Sequence, residues 1–338
     1  MAMTQDKIAQ YFDDLTTNSQ ALAKDADISL TDALIELLED VANGQVAIED
    51  DKPTPAVAEQ IEKFIAAFDW RSMSPADLRK TLQLAILKVT RDDHTQANFQ
   101  ITPDGIGYLL ADFLLQTADL KSGDTILDMT VGAGNLLQTV NDVLKMNDLD
   151  VKRIGIDNDE TQLALATAVD QLLTKGTTTF YESDVVALTE IPKAKAVIAD
   201  LPVGYYPLEP AESYQTRNHD DKSFVHHLLI EKSLEFATDD GWVYLIVPAN
   251  VMMGDQAKDL LKFLTQKAQL KAFLQLPAAF FKDPRAAKAI LVLRKHGVGS
   301  HGEVLMGQYP PLKDIEALQK FLQDIKAWVK LDKEQNKA

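Results

Sequence analysis

Four aspartates carry most of the chemistry this chain could do. Asp128, Asp157, Asp184 and Asp200 each stand at or just past the end of a short apolar run, in successive strand–helix units. One aspartate at such a place commonly caps a helix or opens a turn. Four in succession point to a ligand held at the carboxyl edge of a parallel sheet. After Asp128 the chain reads Met-Thr-Val-Gly-Ala-Gly, so Gly132 and Gly134 lead into a helix starting near Gly134. Glycines let the backbone close on a ligand, and the N–H groups of such a turn favour a carboxylate or a phosphate.

The turn lacks the third glycine of a dinucleotide fingerprint, because position 137 is Leu137. No GxxxxGK loop exists either, so NAD and ATP are disfavoured. A strand-end carboxylate suits a cationic amine. S-adenosyl-L-methionine offers an α-amino group for Asp128 and a carboxylate for the turn. Asp157, after the second strand, stands where an acid accepts from ribose hydroxyls. Asn158 is a candidate contact beside it, although Asn158 and Asp159 also read as the cap of the next helix. Asp184 would accept from an adenine amino group. Thr130, Asn135 and Val185 adjoin these groups and complete the candidate cofactor contacts.

Asp200 opens Ala-Asp-Leu-Pro-Val-Gly-Tyr-Tyr-Pro and has a different task. An exocyclic amine on a base is a poor nucleophile because its lone pair is delocalised into the ring. Asp200, with a backbone carbonyl from Leu201 or Pro202, would hold both N–H hydrogens and aim the lone pair at a methyl donor. Proline stiffens the turn and removes a donor. Tyr205 and Tyr206 are candidates to stack on a flipped base. The alternative is a proline-kinked loop with surface tyrosines.

The elements that must position these groups fall into two textures. Up to about residue 92 the apolar spacing is helical, in IAQYFDDLT, LTDALIELLEDVANG, TPAVAEQIEKFIAAFDW and ADLRKTLQLAILKVTR. Thr31, Asp51-Lys52-Pro53 and Ser74-Pro75 read as start or loop signals. Thr102-Pro103 starts a further helix with Ile106, Leu109, Leu110 and Phe113 on its apolar face. Strands then alternate with helices. Strands are expected at Thr125–Met129, Lys152–Asp157, Thr178–Glu182, Ala194–Asp200, Trp242–Val247, Leu270–Leu276 and Ala289–Arg294. Helices are expected at Asn135–Met146, Asp159–Lys175, Lys222–Ala237 and Asp255–Gln266. This is an α/β pattern with a mainly parallel sheet. Its last two strands have no full helix between them and close as an antiparallel hairpin, the Rossmann-like seven-stranded layout of class I methyltransferases. A tail strand at Glu303–Gln308 precedes a helix whose apolar stripe is Leu312, Ile315, Leu318, Phe321 and Leu322. The expected domains are residues 1–94 (helical), 95–300 (catalytic) and 301–338 (strand and helix extension).

Composition narrows the options. The absence of cysteine excludes disulfides, thiolate metal sites and thiol nucleophiles. The six histidines are scattered, and the adjacent His226 and His227 point to different helix faces, so no metal is expected. No apolar run is long enough to span a membrane and the N-terminus has no apolar signal core, so the expected location is cytoplasmic. A net charge of −17 argues against broad polyanion binding. A local basic face remains open, with Lys282, Arg285 and Lys288 in the hairpin loop and Arg217 and Lys222 near the Asp200 loop as candidates.

In their order, the N-terminal helices, ITPDGIGYLL, DMTVGAGNLL, GIDNDE, ESDVV and ADLPVGYYP resemble the N6-adenine DNA methyltransferases. The likeness is to the modification-subunit branch of type I restriction systems, and within it to small stand-alone YtxK-like class I S-adenosylmethionine-dependent methyltransferases. It covers roughly residues 95–296. The resemblance implies that Thr102 and Pro103 lie against the methionine end of the cofactor. It gives Asp128, Gly132 and Gly134 the cofactor turn, Asp157 the ribose and Asp184 the adenine. Asp200 to Val203 match the catalytic tetrapeptide, normally Asn or Asp, Pro, Pro, then Phe or Tyr. Here Asp-Leu-Pro-Val keeps the acceptor and one proline but lacks the first proline and the aromatic residue. Tyr205 and Tyr206 stand two and three residues later. The turn also differs from the usual Pro-Ala-Cys-Gly-Ser-Gly.

The expected activity is methylation of adenine N6 in DNA with S-adenosylmethionine as cofactor. Two alternatives stand beside it: an RNA or protein-amide acceptor, and a binding protein that has kept the fold without catalysis. DNA is the expected partner, and the N-terminal helices and the tail stripe offer surfaces for a homodimer or a partner subunit.

Overall fold

A computed structural model describes residues 5–94, 101–190, 192–254, 256–295 and 302–335. The chain forms two compact units. The first comprises Met1–Pro103, Val131–Gln138 and Asp159–Glu182, and the second comprises Asp104–Thr130, Thr139–Asn158 and Ser183–Ala338.

The first unit holds α1 (Gln5–Ala26), α2 (Leu30–Asn43), α3 (Pro55–Ala67) and α4 (Pro75–Asp92), with α7 (Glu160–Thr174) and β3 (Thr178–Glu182). Leu15, Leu22, Leu34, Leu37, Leu38, Ile61 and Leu82 share one core with Leu165, Ala168 and Leu172 of α7. Burying a leucine of this kind contributes about 1.5–3 kcal/mol. Local chemistry sets the helix ends. Ser29 caps α2 by accepting from the Asp32 N–H. Thr31, expected to start that helix, instead gives its N–H and hydroxyl to Asp93 at 2.7 and 2.6 Å. Ser74 caps α4 with Pro75 in the first turn, as its sequence indicates.

The second unit contains α5 (Asp104–Thr117), β1 (Thr125–Asp128), β2 (Lys152–Asp157), β4 (Ala194–Asp200), α8 (Val225–Phe236), β5 (Ala237–Pro248) and α9 (Ala257–Lys267). It continues with β6 (Ala268–Gln275), β7 (Lys288–Lys295), β8 (Leu305–Gln308) and α10 (Ile315–Gln335). Helix α6 (Asn135–Met146) starts in the first unit and finishes in the second. The expected start of α9, Asp255, lies outside the described residues, as do Gln100 and His301 near the two expected domain boundaries.

In the second unit the strands lie in the order β2-β1-β4-β5-β7-β6-β8. β1, β2, β4 and β5 run parallel, while β7 is antiparallel to both β5 and β6. This matches the class I methyltransferase fold. The seven expected strands and their closing hairpin are present, and β8 adds an eighth parallel to β6. Strands β1, β4, β5 and β7 bury residues pointing to both faces, including Leu127, Val197, Ile198, Leu245, Ile246, Ile290 and Leu291, as parallel sheets covered on both faces do. Gly107 lets α5 approach α6, since a Cβ there would lie 2.8 Å from Thr139 Cγ2.

The tail helix buries its apolar face further toward its C-terminal end than the expected stripe. Ile325, Trp328, Val329 and Asp332 are buried, whereas Ile315 is exposed and Leu312, Leu318, Phe321 and Leu322 are half-buried. There Trp328 stacks on Phe113 with centroids 5.9 Å apart, and one turn from the end Lys271 Nζ of β6 meets Asp332 Oδ1 at 2.6 Å with both side chains almost fully buried. Removing one member strands a buried charge, at a cost of about 3–5 kcal/mol. Urea denaturation of Lys271→Ala should show a loss of that size, while Lys271→Met combined with Asp332→Leu should recover most of it. Equal losses in the single and double variants would contradict this role for the pair.

Candidate active site

Strand β1 ends on Asp128, whose side chain is fully buried. Its Oδ1 accepts from the Thr130 N–H at 3.2 Å. Oδ2 is buried with no hydrogen-bond partner among the described residues. Burial pushes the carboxyl up to about 8. The Thr130 N–H opposes that rise, and the charges of Asp157 and Asp200 add to it. The structure thus brings three of the four expected acids into electrostatic contact. The Met129 N–H bonds to the Ile198 carbonyl, and Thr130 Oγ1 donates to the Asp200 carbonyl at 3.2 Å. These bonds lock the exit of β1 to the exit of β4.

Asp157 closes β2 with its side chain part-exposed, and its carbonyl receives the Ser183 N–H at 2.8 Å. Asn158 is exposed. Asp159 caps α7 by accepting from the Gln162 N–H at 3.0 Å. Asp184 uses both oxygens within the protein. One accepts from the Val186 N–H at 2.9 Å and the other from the Tyr206 hydroxyl at 2.5 Å. Val185 beside it is buried.

The two tyrosines expected to stack on a base divide. Tyr206 is buried, and burial and then Asp184 hold its phenol well above the ordinary tyrosine range. Tyr205 is 55% exposed and stacks on Phe224 with centroids 4.8 Å apart and planes at 13°. Phe224 stacks in turn on His226 at 5.1 Å. His226 and His227 are both pushed down to about 4 by burial. Phe224 was not among the residues singled out in the sequence; its only signal was its place before a helix start beside two histidines. Leu201 is buried and gives its N–H to the Ile246 carbonyl at 3.0 Å, a bond a proline there could not make. Pro202 and Val203 are exposed.

Lys288 is the other residue the sequence misplaced. It is the first residue of β7, paired across from Pro248 at the end of β5, and its Nζ lies 2.5 Å from Asp200 Oδ1. Its side chain is 16% exposed, so it is no loop cation for a polyanion. An antiparallel strand begins at the edge where its parallel neighbours end, and that topology was the available signal. Of the other basic candidates, Lys282 and Lys222 are exposed, Arg285 is exposed and tied to Asp283, and Arg217 is half-buried.

In the first unit, Gly132 and Gly134 take φ of +51° and +86°, a region that favours glycine. A Cβ on Gly132 would stand 2.9 Å from Gln162 Oε1. Asn135 Nδ2 donates to the Thr102 carbonyl at 2.7 Å, which joins two of the expected cofactor residues. Pro103 follows, exposed.

Sheet order and strand-end acids together define a class I methyltransferase fold with a polar carboxyl edge. The N-6 DNA methylase family model matches residues 90–324, and the chain belongs to that family. The uncharacterized protein YtxK of Bacillus subtilis (strain 168) is 31% identical over 288 residues, which cover 83% of this chain and 85% of that protein. A Listeria monocytogenes crystal structure described as a class I S-adenosylmethionine-dependent methyltransferase superposes with a TM-score of 0.86 at 28% identity, covering 96% of this chain and all of that one. The methyltransferase subunit of a type I restriction-modification system from Streptococcus thermophilus shares the fold, with a TM-score of 0.63 at 16% identity over 93% of this chain and 73% of that one.

The buried acid makes stability depend on pH. Its folded value lies above the ordinary carboxylate value, so its contribution is complete below about pH 4 and is lost as pH rises through about 8. Asp128→Asn removes that loss. Its stability advantage over the wild type, from urea denaturation at pH 5, 7 and 9, should grow across the series to roughly 2–5 kcal/mol. A gap that does not change with pH would contradict the assignment.

Proposed function

We propose that the protein is an S-adenosylmethionine-dependent methyltransferase acting on adenine N6 in DNA. The observation that carries this reading is the buried Asp128 oxygen without a hydrogen-bond partner among the described residues, at the sheet edge where the family pattern puts the cofactor. A buried carboxylate oxygen in that position calls for a cation with hydrogens to give. The α-amino group of S-adenosylmethionine meets that need, so the residues fit the cofactor. When bound, the cofactor supplies a methyl group on a positively charged sulfur.

The chain's own residues would then act as follows. Asp128 holds the amine and fixes the methionine end. Thr102, Pro103, Thr130, Gly132, Gly134 and Asn135 keep the roles that the family pattern gives the turn and its neighbours, and Asp157 takes the ribose. Asp184, already bonded to Tyr206, shapes the adenine end together with Val185. Asp200 accepts an N–H of the target amine, and a carbonyl of Leu201 or Pro202 accepts the other. That orients the nitrogen lone pair, and the proton it sheds on methylation leaves by Asp200 or solvent. Tyr205, backed by Phe224, offers the exposed aromatic face that Val203 does not. Residues 95–300 would form the catalytic domain, and residues 1–94 an interaction module for a partner subunit or a second copy.

A second reading has support in one feature. Asp-Leu-Pro-Val is an altered tetrapeptide whose acid is engaged by Lys288, which favours a protein that binds the cofactor without delivering the methyl group. Labelled methyl transfer separates the two. Wild-type protein should label DNA in preference to RNA or lysate protein. Asp200→Ala should bind cofactor normally by calorimetry and lose transfer by about 10²-fold or more. Cofactor binding without transfer to any of the three would leave the second reading, and no cofactor binding by the wild type would sink both.

A further inference from the structure

We infer that Lys288 is a specificity residue of the acceptor site: with Asp200 it reads an edge that carries an amino group beside a ring nitrogen, as adenine does. The inference rests on the adenine-methylating reading above and names how the base is chosen.

The placement follows from the sheet. β4 ends at Asp200, whose partner on β5 is Ile246. Two residues further along β5, Pro248 pairs with Lys288 on antiparallel β7. The lysine therefore enters the sheet at the edge where the acids leave it. Its ammonium lies 2.5 Å from Asp200 Oδ1, and the two side chains are 16% and 14% exposed. The pair is largely withdrawn from water yet still reachable. A fully solvated ion pair would contribute little. A partly desolvated one carries a cost that a well-packed apolar residue at the start of β7 would avoid.

The chemistry follows from the contact. A carboxylate accepts from an N–H, and an ammonium donates to a ring nitrogen. Side by side they complement a donor next to an acceptor on one planar group, the logic by which a side-chain amide reads adenine. Asp200 alone would accept from any exocyclic amine. Adding Lys288 disfavours a ring without the neighbouring nitrogen, because the donor would be left unpaired at the moment of binding. With Val203 in place of an aromatic residue, the loop has less stacking with which to choose its base, which leaves more of the choice to this edge. Adenine flanks its amine with N1 on one side and N7 on the other. N1 is reached only when the base is unpaired, whereas N7 is open in the major groove.

The test uses full-length protein and oligodeoxynucleotides of the sequence labelled in the methyl-transfer survey, with adenine, 1-deazaadenine or 7-deazaadenine at the target. Wild-type kcat/KM should fall about tenfold or more on one of the two deaza substrates, which identifies the edge that is read. In Lys288→Met that ratio should fall to within about twofold, with cofactor binding by calorimetry retained. Lys288→Arg, which keeps a donor, should preserve part of the preference. A deaza penalty of full size in Lys288→Met would overturn the inference. So would a wild type that disfavours neither deaza substrate, whatever becomes of the variant. Absence of transfer to any adenine oligonucleotide by the wild type would instead overturn the adenine reading itself, and this inference with it.

Discussion

A carboxylate oxygen shut away from water without a hydrogen bond is costly, and among the described residues Asp128 Oδ2, at the end of a central strand, has no partner. Much of the site can be understood from that constraint. The Thr130 N–H relieves only the other oxygen, and the nearby charges of Asp157 and Asp200 make ionisation harder still. The protein holds the acid there because the strand exit is pinned to β4: the Met129 N–H bonds to the Ile198 carbonyl and the Thr130 hydroxyl to the Asp200 carbonyl. Folding thereby maintains an acid that is poorly satisfied among the described residues, the kind of local cost found at functional sites.

The second constraint is topological. Parallel strands deliver their last residues to one edge, which is where Asp128, Asp157 and Asp200 collect. Strand β7, antiparallel to both its neighbours, delivers its first residue to the same edge. That brings a cation to an otherwise acidic rim. The same edge carries Lys288 on Asp200, an N–H at Leu201 tied to Ile246, and the Tyr205–Phe224 stack.

Most of the fold was legible in the sequence. Strand–helix alternation is a strong signal wherever apolar runs are short and well bounded, and β1 to β7 follow it. Asp159 and Ser74 were readable as caps because capping needs only local chemistry. Thr31 was misread because its hydroxyl is claimed by Asp93, 62 residues away in the chain. Burial of α10 concentrates at its far end, where Trp328 stacks on Phe113 and Lys271 meets Asp332, partners that are also remote in sequence. In the site, residue types at strand ends were visible and their pairings were not. Nothing local to Asp184 shows that Tyr206 binds it, and Lys288 looks like a loop lysine until the direction of β7 is known.

Proton exchange on cofactor binding tests most directly whether Asp128 awaits a cation. Titrating S-adenosylmethionine at pH 7 in buffers of differing ionisation enthalpy measures the protons released per cofactor bound. An acid raised to about 8 is mostly protonated at that pH and must ionise to hold the amine. Release of close to one proton, roughly 0.7–0.9, is expected, falling away above pH 9 and absent in Asp128→Asn. Cofactor binding by the wild type with no proton exchange at pH 7 would contradict it.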